Sequence, residues 1–393
     1  MKKIAQTAPP IIPILPQRPS FIFLALLVAF LLLADSWHAR RTSLDSGQLK
    51  APPGFHIAVF AASVGTPRLM AFSPGGVLLL TESAEGRVVA LPDSRHVGKS
   101  DRTAIVLDGL NQPHGLGFYE GKLYVAENDR LRRYDWDEAN LWASNPKTLA
   151  TLPRSGEHST RSLLFHGGKI YVSAGSSCNV CVEKDPRRAT VMEFNPDGSG
   201  QKIFARGLRN AVGLAVNPKT DTVWVTVNGR DWLGDDLPPE TVYDLGKDGG
   251  DAGWPYCYGD RLPDPKFTKP GDDRCKNVLE PKLQIQAHSA PLGLAFYEGP
   301  QFPAEYRNNI FVALHGSWNR TVPTGYKIVR VKLDANGQPQ GGPQDFITGW
   351  LAPGESKKGR WMGRPVGIVF AADGSMYVSD DSAGIIYRVT FAQ

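Results

Sequence analysis

Gly213-Leu214-Ala215-Val216, the turn Pro218-Lys219-Thr220 and the strand Val223-Trp224-Val225 form a unit that the chain writes six times. The other first strands are Leu69-Met70-Ala71-Phe72, Gly115-Leu116-Gly117-Phe118, Ser162-Leu163-Leu164-Phe165, Gly293-Leu294-Ala295-Phe296 and Gly367-Ile368-Val369-Phe370. Each leads through a turn into a second strand, such as Leu123-Tyr124-Val125 or Met376-Tyr377-Val378, read as alternating. The first four copies end 46, 47 and 51 residues apart, and the next two gaps are 80 and 74. A repeat of this period made of short strands predicts a β-propeller, because one blade cannot bury its apolar face alone. Six copies predict six blades in an all-β fold. The two long gaps read as insertions, since neither holds a further copy. The propeller domain is expected over residues 54–393, after a polar lead-in at 37–53. The strand Gly54 to Phe60 is placed to complete the last blade; the plainer alternative is that it begins the first.

Residues 1–36 differ from the rest. Lys2, Lys3 and Arg18 precede an unbroken apolar run from Phe21 to Ala34, and Ala34-Asp35-Ser36 offers small residues for cleavage. Fourteen helical residues would span about 21 Å, short of a hydrocarbon core of roughly 30 Å. A signal peptide is the favoured reading and an uncleaved membrane anchor the second. Either makes the folded body exported, periplasmic or anchored facing the periplasm. The net charge of +5 comes from scattered bases without a long run, which argues against nucleic acid as a partner. The four cysteines are an even count in an exported chain, which predicts disulfides Cys178–Cys181 and Cys257–Cys275. Val182 stands where a c-type haem site needs His.

Polar residues recur just before the repeated strand. They are Gln112 and His114, then Glu157, His158 and Arg161, then Arg209 and Asn210, His288, and Arg360 and Arg364. Equivalent positions in a propeller converge on the axis, and a ring of Arg and His there predicts an anionic ligand. Any one of them alone would read as a solvated turn residue.

Glu157-His158, the run Gly207 to Leu214, the run Gly249 to Pro255, and Arg364-Pro365-Val366 together resemble the soluble glucose/sorbosone dehydrogenase family. His315-Gly316-Ser317-Trp318-Asn319-Arg320 and Tyr377 to Asp381 resemble its sorbosone-dehydrogenase-like branch. The resemblance covers roughly residues 50–391. It implies a six-bladed propeller that uses pyrroloquinoline quinone (PQQ) and calcium. It further implies oxidation of an aldose or sorbosone-type sugar at C1 by hydride transfer, with electrons passing to a respiratory quinone or cytochrome. By that resemblance His158 is the general base and Arg209 the cation over the quinone oxygens. Asn210 is a neighbouring cofactor contact, and Arg364 binds a cofactor carboxylate. His315 falls where the glucose-specific branch has a cofactor-binding Lys, so Arg320 or Arg360 is the alternative cation. Gln112 or His114, with Glu157, falls on the substrate side. Calcium would take the carbonyls of Gly229 and Arg230, with Asp235, Asp236 and Glu240 as downstream hard oxygens. Those acids read equally well as a solvated turn. Trp232, Trp254 and Trp318 are candidates to stack on the cofactor or simply to pack. Two other classes stay open: a non-catalytic propeller that binds a glycan or protein, and a calcium-dependent lactonase-type propeller.

Overall fold

The structure is a computed structural model and describes residues 48–154, 156–269, 272–351 and 361–392. The expected signal or anchor at 1–36, and Arg360, lie outside the described residues. Six antiparallel sheets account for almost all of the regular structure, so the six-bladed propeller expected from the repeats is what forms. Blade one is β2 (Pro67–Phe72), β3 (Leu78–Glu82), β4 (Arg87–Leu91) and β5 (Ala104–Leu107). Blade two is β6 (Gly115–Tyr119), β7 (Lys122–Ala126), β8 (Arg130–Asp137) and β9 (Trp142–Thr151). Blade three is β10 (Leu163–His166), β11 (Lys169–Ala174), β12 (Thr190–Phe194) and β13 (Lys202–Arg206). Blade four is β14 (Ala211–Asn217), β15 (Thr222–Val227), β16 (Glu240–Asp244) and β20 (Leu283–Ile285). Blade five is β21 (Pro291–Phe296), β22 (Ile310–Leu314), β23 (Lys327–Val331) and β24 (Gln344–Ile347). Blade six is β25 (Pro365–Phe370), β26 (Met376–Asp380) and β27 (Ile385–Phe391), completed by β1 (Phe55–Ala62). Among the described residues no helix is long and apolar enough to cross a membrane.

The second strands do not alternate as the sequence suggested. β3, β15 and β26 are buried along their whole length. They lie in the middle of a blade, with a neighbouring blade on each face, so both sets of side chains leave water. The apolar clusters lie in the seams between blades. Leu79, Val88 and Val106 of blade one meet Leu116, Leu123 and Val125 of blade two. Phe311, Ile328 and Phe346 of blade five meet Val378 and Tyr387 of blade six.

The inner strands β2, β6, β10, β14, β21 and β25 touch in a closed circuit. The recurring glycines explain how closely they approach. A Cβ at Gly115 would lie 2.6 Å from the Arg161 carbonyl oxygen, and one at Gly293 would lie 2.5 Å from that of Val366. Buried hydroxyls on the second strands then reach into the next blade. Thr81 Oγ1 donates to the His114 carbonyl at 2.8 Å, Thr226 Oγ1 to that of Leu292 at 2.7 Å, and Ser379 Oγ to that of Arg68 at 2.6 Å.

The first long gap does contain an insertion, but it is not a bare loop. It carries β17 (Gly250–Asp251), which pairs in parallel with β13, and the hairpin of β18 (Cys257–Tyr258) and β19 (Leu262–Pro263). Both disulfides form as expected, Cys178–Cys181 and Cys257–Cys275.

β1 pairs antiparallel with β27, Phe55 opposite Phe391 and Ala62 opposite Ile385, so the N-terminal strand does close the ring. Phe55 is fixed edge-on among Phe302, Phe346, Phe391 and Tyr306, with ring centroids 4.8, 4.9, 5.0 and 5.1 Å away. Phe55→Ala is expected to cost about 2–4 kcal/mol in urea unfolding. His56→Ala, on the exposed face of the same strand, should cost almost nothing.

Candidate active site

Several of the residues that precede the inner strands gather in two clusters, joined by the loop from His315 to Arg320. In the first, His158 sits before β10. Its Nδ1 lies 3.0 Å from the carbonyl oxygen of Ser176 and 3.0 Å from Ser176 Oγ. A carbonyl only accepts, so Nδ1 carries the proton and Nε2 keeps a lone pair. Burial, then the charges of Arg209, Arg188 and Arg161, push the imidazole down to about 3, against the pull of the Ser176 carbonyl. Gly175 allows this packing, because a Cβ there would stand 2.6 Å from both His158 Cβ and Asn210 Oδ1.

Arg209, just before β14, is almost entirely buried. Its Nε donates to the Asn179 carbonyl at 2.8 Å, and its terminal nitrogens donate to Asn179 Oδ1 at 3.0 Å and the Asn228 carbonyl at 3.3 Å. Asp231 Oδ2, 3.3 Å away, is its ion-pair partner. Asn319 holds the other oxygen of Asp231 at 2.5 Å. Asn210 donates to Asn228 Oδ1 at 3.3 Å, and Asn228 in turn donates to the Pro291 carbonyl.

The second cluster lies on blades one, five and six. Arg68 pairs with Asp381 at 2.5 Å and approaches His114 Nε2 at 3.5 Å. His315 Nε2 donates to the other Asp381 oxygen at 2.9 Å. Arg364 donates to the carbonyls of His315 at 3.0 Å and Gly316 at 2.6 Å, and lies over Tyr326 and Trp361. The loop from His315 to Arg320 joins the clusters, with His315 on Asp381 at one end and Asn319 on Asp231 at the other.

Several expected roles change. His114 is fully buried behind Arg68, where a substrate does not reach it. Gln112 is exposed in left-handed backbone, φ 46°. Glu157 is exposed, tied through its N–H to the Ser177 carbonyl, and its charge acts on Arg209. Arg161 turns inward to the carbonyls of Pro153, His158 and Thr160, so this guanidinium braces the His158 loop. His288 bonds the Gly234 carbonyl at 2.8 Å and joins neither cluster. Arg320 is taken up by Asp235 and Asp236.

The proposed metal carboxylates do not converge. Asp236 is exposed beside Arg320, whereas Glu240 is fully buried. The Glu240 oxygens accept the N–H groups of Gly229 at 2.6 Å and Ala290 at 3.1 Å, and burial pushes its carboxyl up to about 7. Arg230 turns away to the buried Asp264 at 2.9 Å. Among the described residues the one close set of metal-type ligands is Cys178, Cys181 and Glu183, and its two thiols are spent in a disulfide.

Sequence reasoning missed Arg68, although it fills in the first copy the slot that His114 and Arg161 fill in the second and third. It also missed Asn179, Ser176, Asp231 and Asp381. These hold the functional side chains from loops outside the repeat, where no slot marks them.

The field of the site is positive. His158, His114 and His315 are each held below the ordinary histidine range, by burial first and neighbouring arginines next. Arg68, Arg209 and Arg364 are paired with or faced by Asp231 and Asp381, while the nearby carboxyls of Glu240 and Asp380 are pushed by burial toward their neutral forms. An anionic ligand suits this arrangement.

The profile of the TrAA12-like family matches residues 49–242 and 254–392. The chain belongs to the TrAA12-like family. A Coprinopsis cinerea protein named pyrroloquinoline quinone-dependent pyranose dehydrogenase is 28% identical over 405 residues, 87% of this chain and 54% of its own length. The chain therefore spans about half of that relative. The solved holo form of the pyranose dehydrogenase PQQ domain from Coprinopsis cinerea superposes with a TM-score of 0.74 at 25% identity, covering 87% of this chain and 97% of that one. A calcium structure of the Trichoderma reesei family AA12 enzyme gives 0.76 at 23% identity, covering 88% and 97%, which is a likeness of fold.

The histidines held down in the folded state make stability depend on pH. A histidine held down in the folded state titrates near 6.5 when unfolded, so its contribution is present above 6.5 and is lost as pH falls toward its folded value. For His158 that window runs from 6.5 to about 3. Glu240, raised in the folded state, acts in the opposite sense. Comparing His158→Gln with the parent isolates the histidine. The variant should gain on the parent by up to about 1.4 kcal/mol per pH unit between 6.5 and 4.5 in thermal unfolding.

Proposed function

We propose that this chain is a PQQ-dependent dehydrogenase that oxidises a sugar at C1, with His158 as the general base. The observation that carries the reading is the His158 tautomer: Nδ1 is fixed on Ser176, and Nε2 is left unprotonated, with the charge of the buried Arg209 acting on the ring. The printed names of the Coprinopsis relative and its solved PQQ domain support the cofactor and the substrate class.

The residues fit a polyanionic quinone. Arg209 and Arg364 are buried or half-buried cations whose contacts are mostly carbonyl oxygens. They would hold carboxylate and quinone oxygens through charge-assisted hydrogen bonds, and Asn210 would add a neutral contact. His315 is committed to Asp381 and would support Arg364 through its carbonyl. When bound, PQQ supplies a two-electron acceptor for hydride. His158 Nε2 takes the proton of the C1 hydroxyl, and the positive field of Arg209 keeps the imidazole unprotonated until that moment. Arg209 would stabilise negative charge developing on an oxygen that faces its terminal nitrogens. Glu157 lies at the open side, where a sugar hydroxyl can reach it.

For calcium the residues offer the carbonyl oxygens of Gly229 and Arg230, on a turn fastened by Glu240, and no carboxylate. That is well short of the six to eight oxygens such an ion takes, and no step is assigned to it. The aldose or sorbosone specificity, a quinone or cytochrome as electron acceptor, and export to the periplasm with or without an N-terminal anchor belong to the same proposal. A lactonase reading would need free Asn and carboxylate oxygens at the axis. Here the oxygens of Asn179, Asn228 and Asp231 surround the Arg209 guanidinium.

The test combines PQQ titration with turnover on a panel of aldoses. His158→Ala should lower kcat by about 10²–10⁴-fold with little change in PQQ affinity. Arg209→Ala and Arg364→Ala should each weaken PQQ binding by about ten- to a hundredfold. The fall in activity due to His158 protonation should lie near pH 3 to 4, not at 6.5. Near-parent turnover in His158→Ala with PQQ bound would remove the histidine from the reaction.

A further inference from the structure

Both central side chains are held by one short loop, Ser176 to Cys181, closed by the Cys178–Cys181 disulfide. Asn179, between the two cysteines, accepts two hydrogen bonds from Arg209, through its carbonyl at 2.8 Å and Oδ1 at 3.0 Å. The same Oδ1 accepts the N–H of Asp231, the ion-pair partner of Arg209, at 2.8 Å. Ser176 orients His158 through its carbonyl, and its hydroxyl donates to the Cys178 carbonyl at 2.7 Å. The Ser176 N–H also donates to the Arg209 carbonyl at 2.7 Å.

The two disulfides differ in access. Cys257 and Cys275 are 3% and 4% exposed. Cys178 and Cys181 are half-buried, and Cys181 lines a cleft of about 860 Å³ between blades two and three. His158 and Arg209 do not line that cleft, so a reagent can enter it without entering the axial site. Exchange rates follow access to the sulfur under attack. A loop this short constrains little of the unfolded chain, so opening it leaves the propeller folded.

We propose that Cys178–Cys181 is a thiol-exchange site, entered from this cleft, whose opening frees Asn179 from Arg209 and Ser176 from His158. A dithiol reductant attacks Cys181 Sγ, the S–S bond breaks, and a mixed disulfide forms. The second thiol of the reductant resolves it. Two electrons pass to the protein, Cys178 and Cys181 end as protonated thiols, and the reductant ends as a disulfide. The consequence for activity rests on the assignment of His158 and Arg209 above. Asn179 and Ser176 act as positioning residues.

The experiment treats the folded protein with dithiothreitol, alkylates it and maps the thiols by mass spectrometry. Cys178 and Cys181 should be labelled, with Cys257–Cys275 intact. Histidine NMR of the reduced protein, with His158→Gln for assignment, should show the His158 titration raised by about one pH unit or more toward its ordinary value. PQQ should bind about tenfold more weakly, and reoxidation should restore both readings. Cys178→Ser/Cys181→Ser should behave like the reduced protein and ignore dithiothreitol. An unmoved His158 titration in alkylated protein overturns the proposal, as does opening of Cys257–Cys275 first. PQQ affinity within twofold of the oxidised protein overturns the Arg209 half. If the oxidised parent binds no PQQ, the cofactor reading fails, and the His158 titration decides the clamp alone.

Discussion

The inner strands can converge only because backbone meets backbone across each seam. Gly115, Gly213, Gly293 and Gly367 stand where a side chain would strike the next inner strand. The buried hydroxyls of Thr226 and Ser379 cross two of these seams, and that of Thr81 the seam between blades one and two, to carbonyls at the start of the next inner strand. The acceptors are the carbonyls of Arg68, His114 and Leu292, so the bonds that close the ring also fix the backbone that carries the site's side chains. Packing and chemistry share these residues. A buried, satisfied hydroxyl is stiffer than an apolar contact of equal size, because it fixes direction as well as distance.

Within that frame, electrostatics decides protonation. Burial alone would favour neutral histidines and neutral carboxyls, and the arginines tip the balance further for the histidines. Asp381 is nonetheless held down to about 2, because His315 and Arg68 outweigh its burial. Asp380, the next residue, is raised to about 6 by burial, although it bonds Trp350 Nε1 and the Arg364 N–H. Adjacent carboxyls thus take opposite shifts because one faces the cations and the other faces the core.

The repeat made the fold legible. Blade count, the closing strand and both disulfides followed from periodicity, position and an even cysteine count. The slot before each inner strand led to His158, Arg209 and Arg364, which the structure places in the two clusters, but it does not say which way a side chain turns. Arg161 and His114 occupy that slot and point into the body, since each finds acceptors or a partner there. Asp236 and Glu240 looked alike in sequence and separate by burial, which depends on the neighbouring blade. Asn179 and Ser176 were illegible because their role arises from the shape of a disulfide-closed loop that no repeat predicts.

The pairing of β1 with β27 sets the order in which this chain folds. Phe55 cannot find Phe391 until all the intervening blades have been ordered or have collapsed nearby. The entropy of closing such a loop grows only with the logarithm of its length, so the final equilibrium cost is modest. The kinetic cost is larger, because non-local pairings form late and leave apolar edges bare meanwhile. Until then the seam between β1 and β27 is an open pair of strand edges, one near each end of the chain. A second copy of the chain could pair with either, so slow or crowded folding favours exchange of β1 between molecules over closure within one.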